Sequence, residues 1–97
     1  MPHWLIVSGS ARALAQSCVA AGWTCDVIDP FADTDTQAVA RRTVRADFRD
    51  GAFGDVLPAL IAGMAGRWDG IVDGSGFEPR PDLLSALDRA FHASAPR

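Results

Sequence analysis

The sequence predicts a single three-layer α/β domain: a four-stranded parallel sheet, strand order 3-2-1-4, with helices on both faces. Three features point there. Short apolar runs alternate four times with stretches of helical periodicity, and such alternation implies parallel strands joined by right-handed crossovers. The first run, Trp4-Leu5-Ile6-Val7, is apolar without a break, as in a strand covered on both faces. The 97 residues contain no internal linker and no repeat, a length that suits one domain with one core.

Each element follows in order. After strand Trp4–Val7, Ser8-Gly9-Ser10 breaks the run. Ala11 to Ala21 then reads as a helix, with Ala11, Leu14, Ala15, Cys18 and Gly22 on one stripe and Gly22 as its left-handed end. Trp23 to Ile28 is the second strand, closed by Asp29-Pro30. Thr34 and Gln37 have the spacing of a capping box, which starts a short helix through about Ala40. Thr43-Val44-Arg45 is a weak third strand. Phe53, Val56, Leu57, Leu60, Ile61 and Met64 carry the strongest helical periodicity, with Asp55 as cap and Pro58 harmless in the first turn. Asp69 to Asp73 is the fourth strand and Gly74 to Arg80 a loop. Pro81 and Asp82 open the last helix, whose core stripe is Leu83, Leu87, Ala90 and Phe91. The sum, βαβαβαβα, is the pattern of a Rossmann-like sheet.

Composition narrows the function. Apolar residues make up 48% and charged residues 22%, which is ordinary globular usage and excludes a disordered chain. A net charge of −3 argues against a nucleic-acid partner. No apolar run approaches the roughly 20 residues that span a bilayer. The start lacks a basic n-region, so no membrane association and a cytoplasmic location are expected. The chain has no lysine, which excludes a Walker-type phosphate lysine and a Schiff base. Cys18 and Cys25 are spaced neither as a redox pair nor as a zinc knuckle, and free thiols are expected. Two histidines, His3 and His92, are too few for a structural metal site and read as surface residues.

In a parallel sheet of this order the crevice lies beyond the carboxyl ends of the strands, where the order reverses between strands one and four. Ser8-Gly9-Ser10 and Ser75-Gly76 with Glu78 fall there, and Asp29 stands nearby. Their backbone N–H groups and hydroxyls are candidates for a polar ligand, although glycines also serve as plain strand-to-helix turns. Asp29 lies twenty residues after Gly9, as a ribose-binding acid would, but the loop has one glycine where the dinucleotide fingerprint needs two or three. Ser75 has no histidine near it in sequence. Arg41, Arg42, Arg45 and Arg49 are interrupted by Asp47 and read as a solvated edge, and Asp29, Asp33 and Asp35 read as caps and turns.

Two strings go further. Val7-Ser8-Gly9-Ser10-Ala11-Arg12-Ala13-Leu14-Ala15, followed by Val27-Ile28-Asp29-Pro30-Phe31-Ala32-Asp33-Thr34-Asp35-Thr36, resembles the start of ATP-grasp family proteins. Gly74-Ser75-Gly76-Phe77-Glu78-Pro79-Arg80-Pro81-Asp82-Leu83-Leu84 is similar to a later motif of the branch called predicted ATP-dependent carboligases. The resemblance runs from about Trp4 to Phe91 and implies a preATP-grasp domain, a reduced Rossmann fold. It implies ligation chemistry, in which ATP phosphorylates a carboxylate and a nucleophile such as an amine attacks the acyl phosphate. ATP and magnesium would then belong to two further domains, supplied in cis or as a separate subunit, with no cofactor in this chain and no catalytic residue. The substrate-side residues that the resemblance carries over are Ser8, Gly9, Ser10, Ser75, Gly76 and Glu78, beside Asp29, and the partner is a small-molecule substrate. A homodimer is left open, and so are a stand-alone nucleotide-binding module and a ligand-free interaction domain.

Overall fold

A computed structural model describes residues 2–49, 52–55, 57–64 and 68–94, with side chains through Arg89. The readings of Val56 and of the Ala90, Phe91 and His92 side chains lie outside these. Strands β1 (His3–Val7), β2 (Thr24–Asp29), β3 (Arg42–Arg45) and β6 (Gly70–Asp73) form one parallel sheet in the order β3-β2-β1-β6. That is the expected 3-2-1-4 order, since β6 is the fourth strand of this sheet. Ile6 lies opposite Val72 and Val7 opposite both Ile28 and Asp73. The helices are α1 (Arg12–Ala20), α2 (Thr34–Val39), α3 (Leu57–Gly63) and α4 (Pro81–Ser94). Two short strands missing from the sequence reading, β4 (Phe48–Arg49) and β5 (Ala52–Phe53), pair antiparallel.

Two apolar clusters sandwich the sheet. On one face Leu5, Val7 and Ile28 pack with Leu57 and Ile61 of α3 and with Leu83 and Leu87 of α4. On the other, Ile6, Cys25 and Val27 pack with Ala11, Ala15 and Cys18. The small side chains of α1 bring that helix close to the sheet. Each fully buried Leu or Ile contributes roughly 1.5–3 kcal/mol. Gly70 stands opposite Trp4 in the register, and a Cβ there would run into the indole.

Most boundaries fall within a residue of the sequence reading, and the larger differences lie at α2 and α3. Asp33, not Thr34, caps α2: its extended backbone lets the carboxylate accept the Thr36 N–H at 2.9 Å. The Gln37 amide donates to the Ala32 carbonyl instead of accepting the cap's N–H, so the reciprocal bond of the expected capping box is not made. Phe53 belongs to β5 rather than to α3, and the Asp55 carboxylate accepts from Arg80. Gly22, with φ +84°, ends α1 as expected, because the N–H groups of Ala21, Gly22 and Trp23 turn back onto its last carbonyls. Among the described residues no helix is long and apolar enough to cross a membrane.

Candidate functional site

Parallel pairing of β1 with β6 brings the two glycine-serine segments together at the carboxyl edge of the sheet. They are bonded to each other. Gly74 N–H donates to Val7 O at 2.9 Å, and Gly9 N–H donates to Ser75 O at 2.8 Å. The Ser8 and Ser75 hydroxyls lie 3.4 Å apart, and Ser10 N–H donates to the Ser8 hydroxyl at 3.2 Å. A Cβ on Gly74 would strike the Ser8 side chain. The N–H groups of Gly9 and Ser10, which the sequence offers to a ligand, are therefore taken up inside the protein.

The β4–β5 hairpin then roofs the seam. Phe48 and Phe53 meet edge to face with ring centres 5.1 Å apart, and Phe53 lies against Phe77 at 5.3 Å. A Cβ on Gly9 would come within 2.7 Å of the Phe48 ring, and one on Gly76 within 2.6 Å. Phe53 N–H also donates to Gly76 O at 3.2 Å. Gly76 has φ +108°, which a side chain rarely tolerates. Both glycines thus serve the close approach of an aromatic roof. The expected crevice between the loops is filled, and the open space shifts outward, to a cavity of about 340 Å³ between the hairpin and Pro79–Arg80.

The seven sequence-derived residues divide into two groups. Ser10, Ser75 and Glu78 are exposed at the rim, while Ser8, Gly9, Asp29 and Gly76 are buried beneath it. Asp29 Oδ1 accepts the N–H groups of Phe31 at 3.1 Å and Ala32 at 2.6 Å. This turn holds Ala32 at φ +47°, and at 1% exposure Asp29 is closed to a ribose. Glu78 Oε2 accepts the Gly76 N–H at 3.1 Å. Its own N–H and that of Gly76 hold the Glu78 carboxyl below the ordinary range. The nearby arginines pair with other acids: Arg80 bonds Asp55 and Asp82, and Arg12 bonds Asp35.

Neither Ser8 nor Ser75 has a histidine or carboxylate on its hydroxyl among the described residues. Nor do these residues place three His, Cys, Asp or Glu side chains where they could hold a metal ion.

Among the described residues the largest ionic cluster lies elsewhere, and sequence reasoning missed it. Asp26 of β2, fully buried, accepts from Arg41 at 2.8 and 3.1 Å, Arg42 at 3.1 Å and the Trp68 indole at 2.9 Å. His3 Nε2 stands 3.2 Å from the same carboxylate, and its Nδ1 lies 2.6 Å from the Thr24 hydroxyl. Burial pushes the Asp26 carboxyl up, but the bonds from Arg41, Trp68 and His3 outweigh it and bring it down to about 2. His3 is therefore not the surface residue expected, and Arg41 and Arg42 are not merely a solvated edge. The signal available was an aspartate inside the apolar run Trp23–Ile28, which must find partners if it is buried. No protein-family model, curated protein or solved structure matches the chain.

Proposed function

We propose that the chain is the N-terminal, substrate-side domain of an ATP-grasp ligase, with ATP and magnesium held by domains supplied in cis or as a separate subunit. The observation that carries this reading is the fused carboxyl edge. The two segments whose strings resemble the family's motifs are bonded into one platform, with Ser10, Ser75 and Glu78 at its open rim. Such a platform can hold a polar substrate group in place, since positioning is lost when its support is loose. Pro79 and Pro81 restrict Glu78 and Arg80 toward extended backbone, which stiffens the loop further. The chemistry would be formed by the partner domains: this chain contributes no lysine to clamp phosphates.

The alternative of a stand-alone dinucleotide module is weaker, because Asp29 faces its own turn instead of the crevice. The test of the ligase reading is kinetic. A parent reading frame is expected to continue roughly 200 residues or more beyond this domain. In that full-length enzyme, Glu78→Gln keeps the fold and lowers turnover at least tenfold, a barrier change of about 1.4 kcal/mol. Unchanged kinetics would remove Glu78 from the site.

A further inference from the structure

The cavity outside the hairpin has a charge pattern of its own. Along an extended chain successive side chains alternate, so Asp47 and Arg49 share a face while Phe48 takes the other. Phe48 packs inward against Phe53, and both Asp47 and Arg49 line the cavity. Both are exposed, and among the described residues neither makes an ion pair. Arg80 also borders the space, but its guanidinium is already held by Asp55 and Asp82. Ala52, Phe53 and Pro79 add an apolar part to the same lining.

A simple anion would meet Arg49 and be repelled by Asp47. A simple cation would meet the reverse. A molecule with one carboxylate, one ammonium and an aliphatic side chain answers Arg49, Asp47 and the apolar floor together. The volume of about 340 Å³ is at the small end of ligand sites and suits such a molecule. We infer that this cavity binds a small apolar zwitterion of the α-amino acid type, with its carboxylate at Arg49 and its ammonium at Asp47. The inference does not depend on the ligase reading, because the chain alone is the binding partner and Glu78 takes no part.

Three probes separate the charges: L-leucine, N-acetyl-L-leucine, which lacks the ammonium, and L-leucinamide, which lacks the carboxylate. In an amide NMR titration of the labelled chain, leucine shifts the signals of Ala52, Phe53 and Gly54, and each blocked probe binds at least tenfold more weakly. Arg49→Gln weakens leucine binding at least tenfold. Asp47→Asn weakens leucine binding at least tenfold as well, from the ammonium side. No leucine-induced shift, equal binding of either blocked probe, or unchanged leucine binding by Arg49→Gln or Asp47→Asn would each overturn the inference.

Discussion

Gly76 shows how one residue can be required twice. Its φ of +108° excludes most side chains, and the Phe48 and Phe53 rings occupy the space where a Cβ would go. Gly76→Ala is expected to cost about 1–3 kcal/mol, as strained backbone positions do, measured as a lower urea midpoint with an unchanged slope. Cys25 illustrates a different local effect. Burial, with Cys18 beside it, pushes its thiol up to about 12. Since the thiolate is the reactive form, Cys25 should resist iodoacetamide at pH 8 in the folded protein and react once denaturant opens the core. That both cysteines would be free was legible from their spacing, and both are free and buried. The partners of Gly76 were not legible, because Phe48 is far from it in sequence and nothing local announces a ring over a glycine.

At the scale of elements, the β4–β5 hairpin sets the shape of the candidate site. The sequence hides it well. Each of its strands is two residues long, too short for a period-two pattern, and Phe53 falls in register with the helical stripe of Leu57, Leu60 and Ile61. Tertiary packing decides the matter: Phe53 is 1% exposed against Phe48 and Phe77. The longer strands and helices were legible because uninterrupted apolar runs and helical stripes recur there, and their alternation implied a parallel sheet, whose order was taken from the Rossmann-like pattern. Since Phe48 is only half-buried, Phe48→Ala should cost about 2–3 kcal/mol, below the 3–5 kcal/mol typical of a fully buried phenylalanine. Chemical denaturation of the variant measures this. A change under about 0.5 kcal/mol, the size of an ordinary surface substitution, would mean that the roof is not part of the folded edge.

For the whole molecule, the Asp26 cluster ties β1 through His3, β2 through Asp26 itself, β3 through Arg42, and the approach to β6 through Trp68. Asp26 is ionised and bonded in the folded state at a pH where the unfolded chain would take up a proton. Its folded value, about 2, lies below the ordinary 3.8, so its contribution is present above pH 4 and is lost as pH falls toward 2. The loss amounts to roughly 2 kcal/mol, because each tenfold difference in proton affinity between the folded and unfolded chain is worth about 1.4 kcal/mol. Asp26→Asn should flatten that acid limb. It should also lower stability by about 1.5–3 kcal/mol at neutral pH, the size of lost charge-assisted hydrogen bonds, because the Arg41 and Arg42 guanidinium groups left behind still reach water. Stability curves of both proteins between pH 2 and 7 test this.

In the proposed ligase this domain would present substrate while ATP is held by other domains. Tight binding of ATP needs cationic groups and metal ions arrayed around its phosphates. The chain has no lysine, Arg41 and Arg42 bond Asp26, Arg80 bonds Asp55 and Asp82, and the exposed Arg45 and Arg49 have Asp47 between them in the chain, which breaks up a cationic array. Calorimetric titration of the chain with magnesium-ATP tests the claim most directly. The predicted result is no measurable binding at micromolar ATP, and a dissociation constant in the low micromolar range would contradict it.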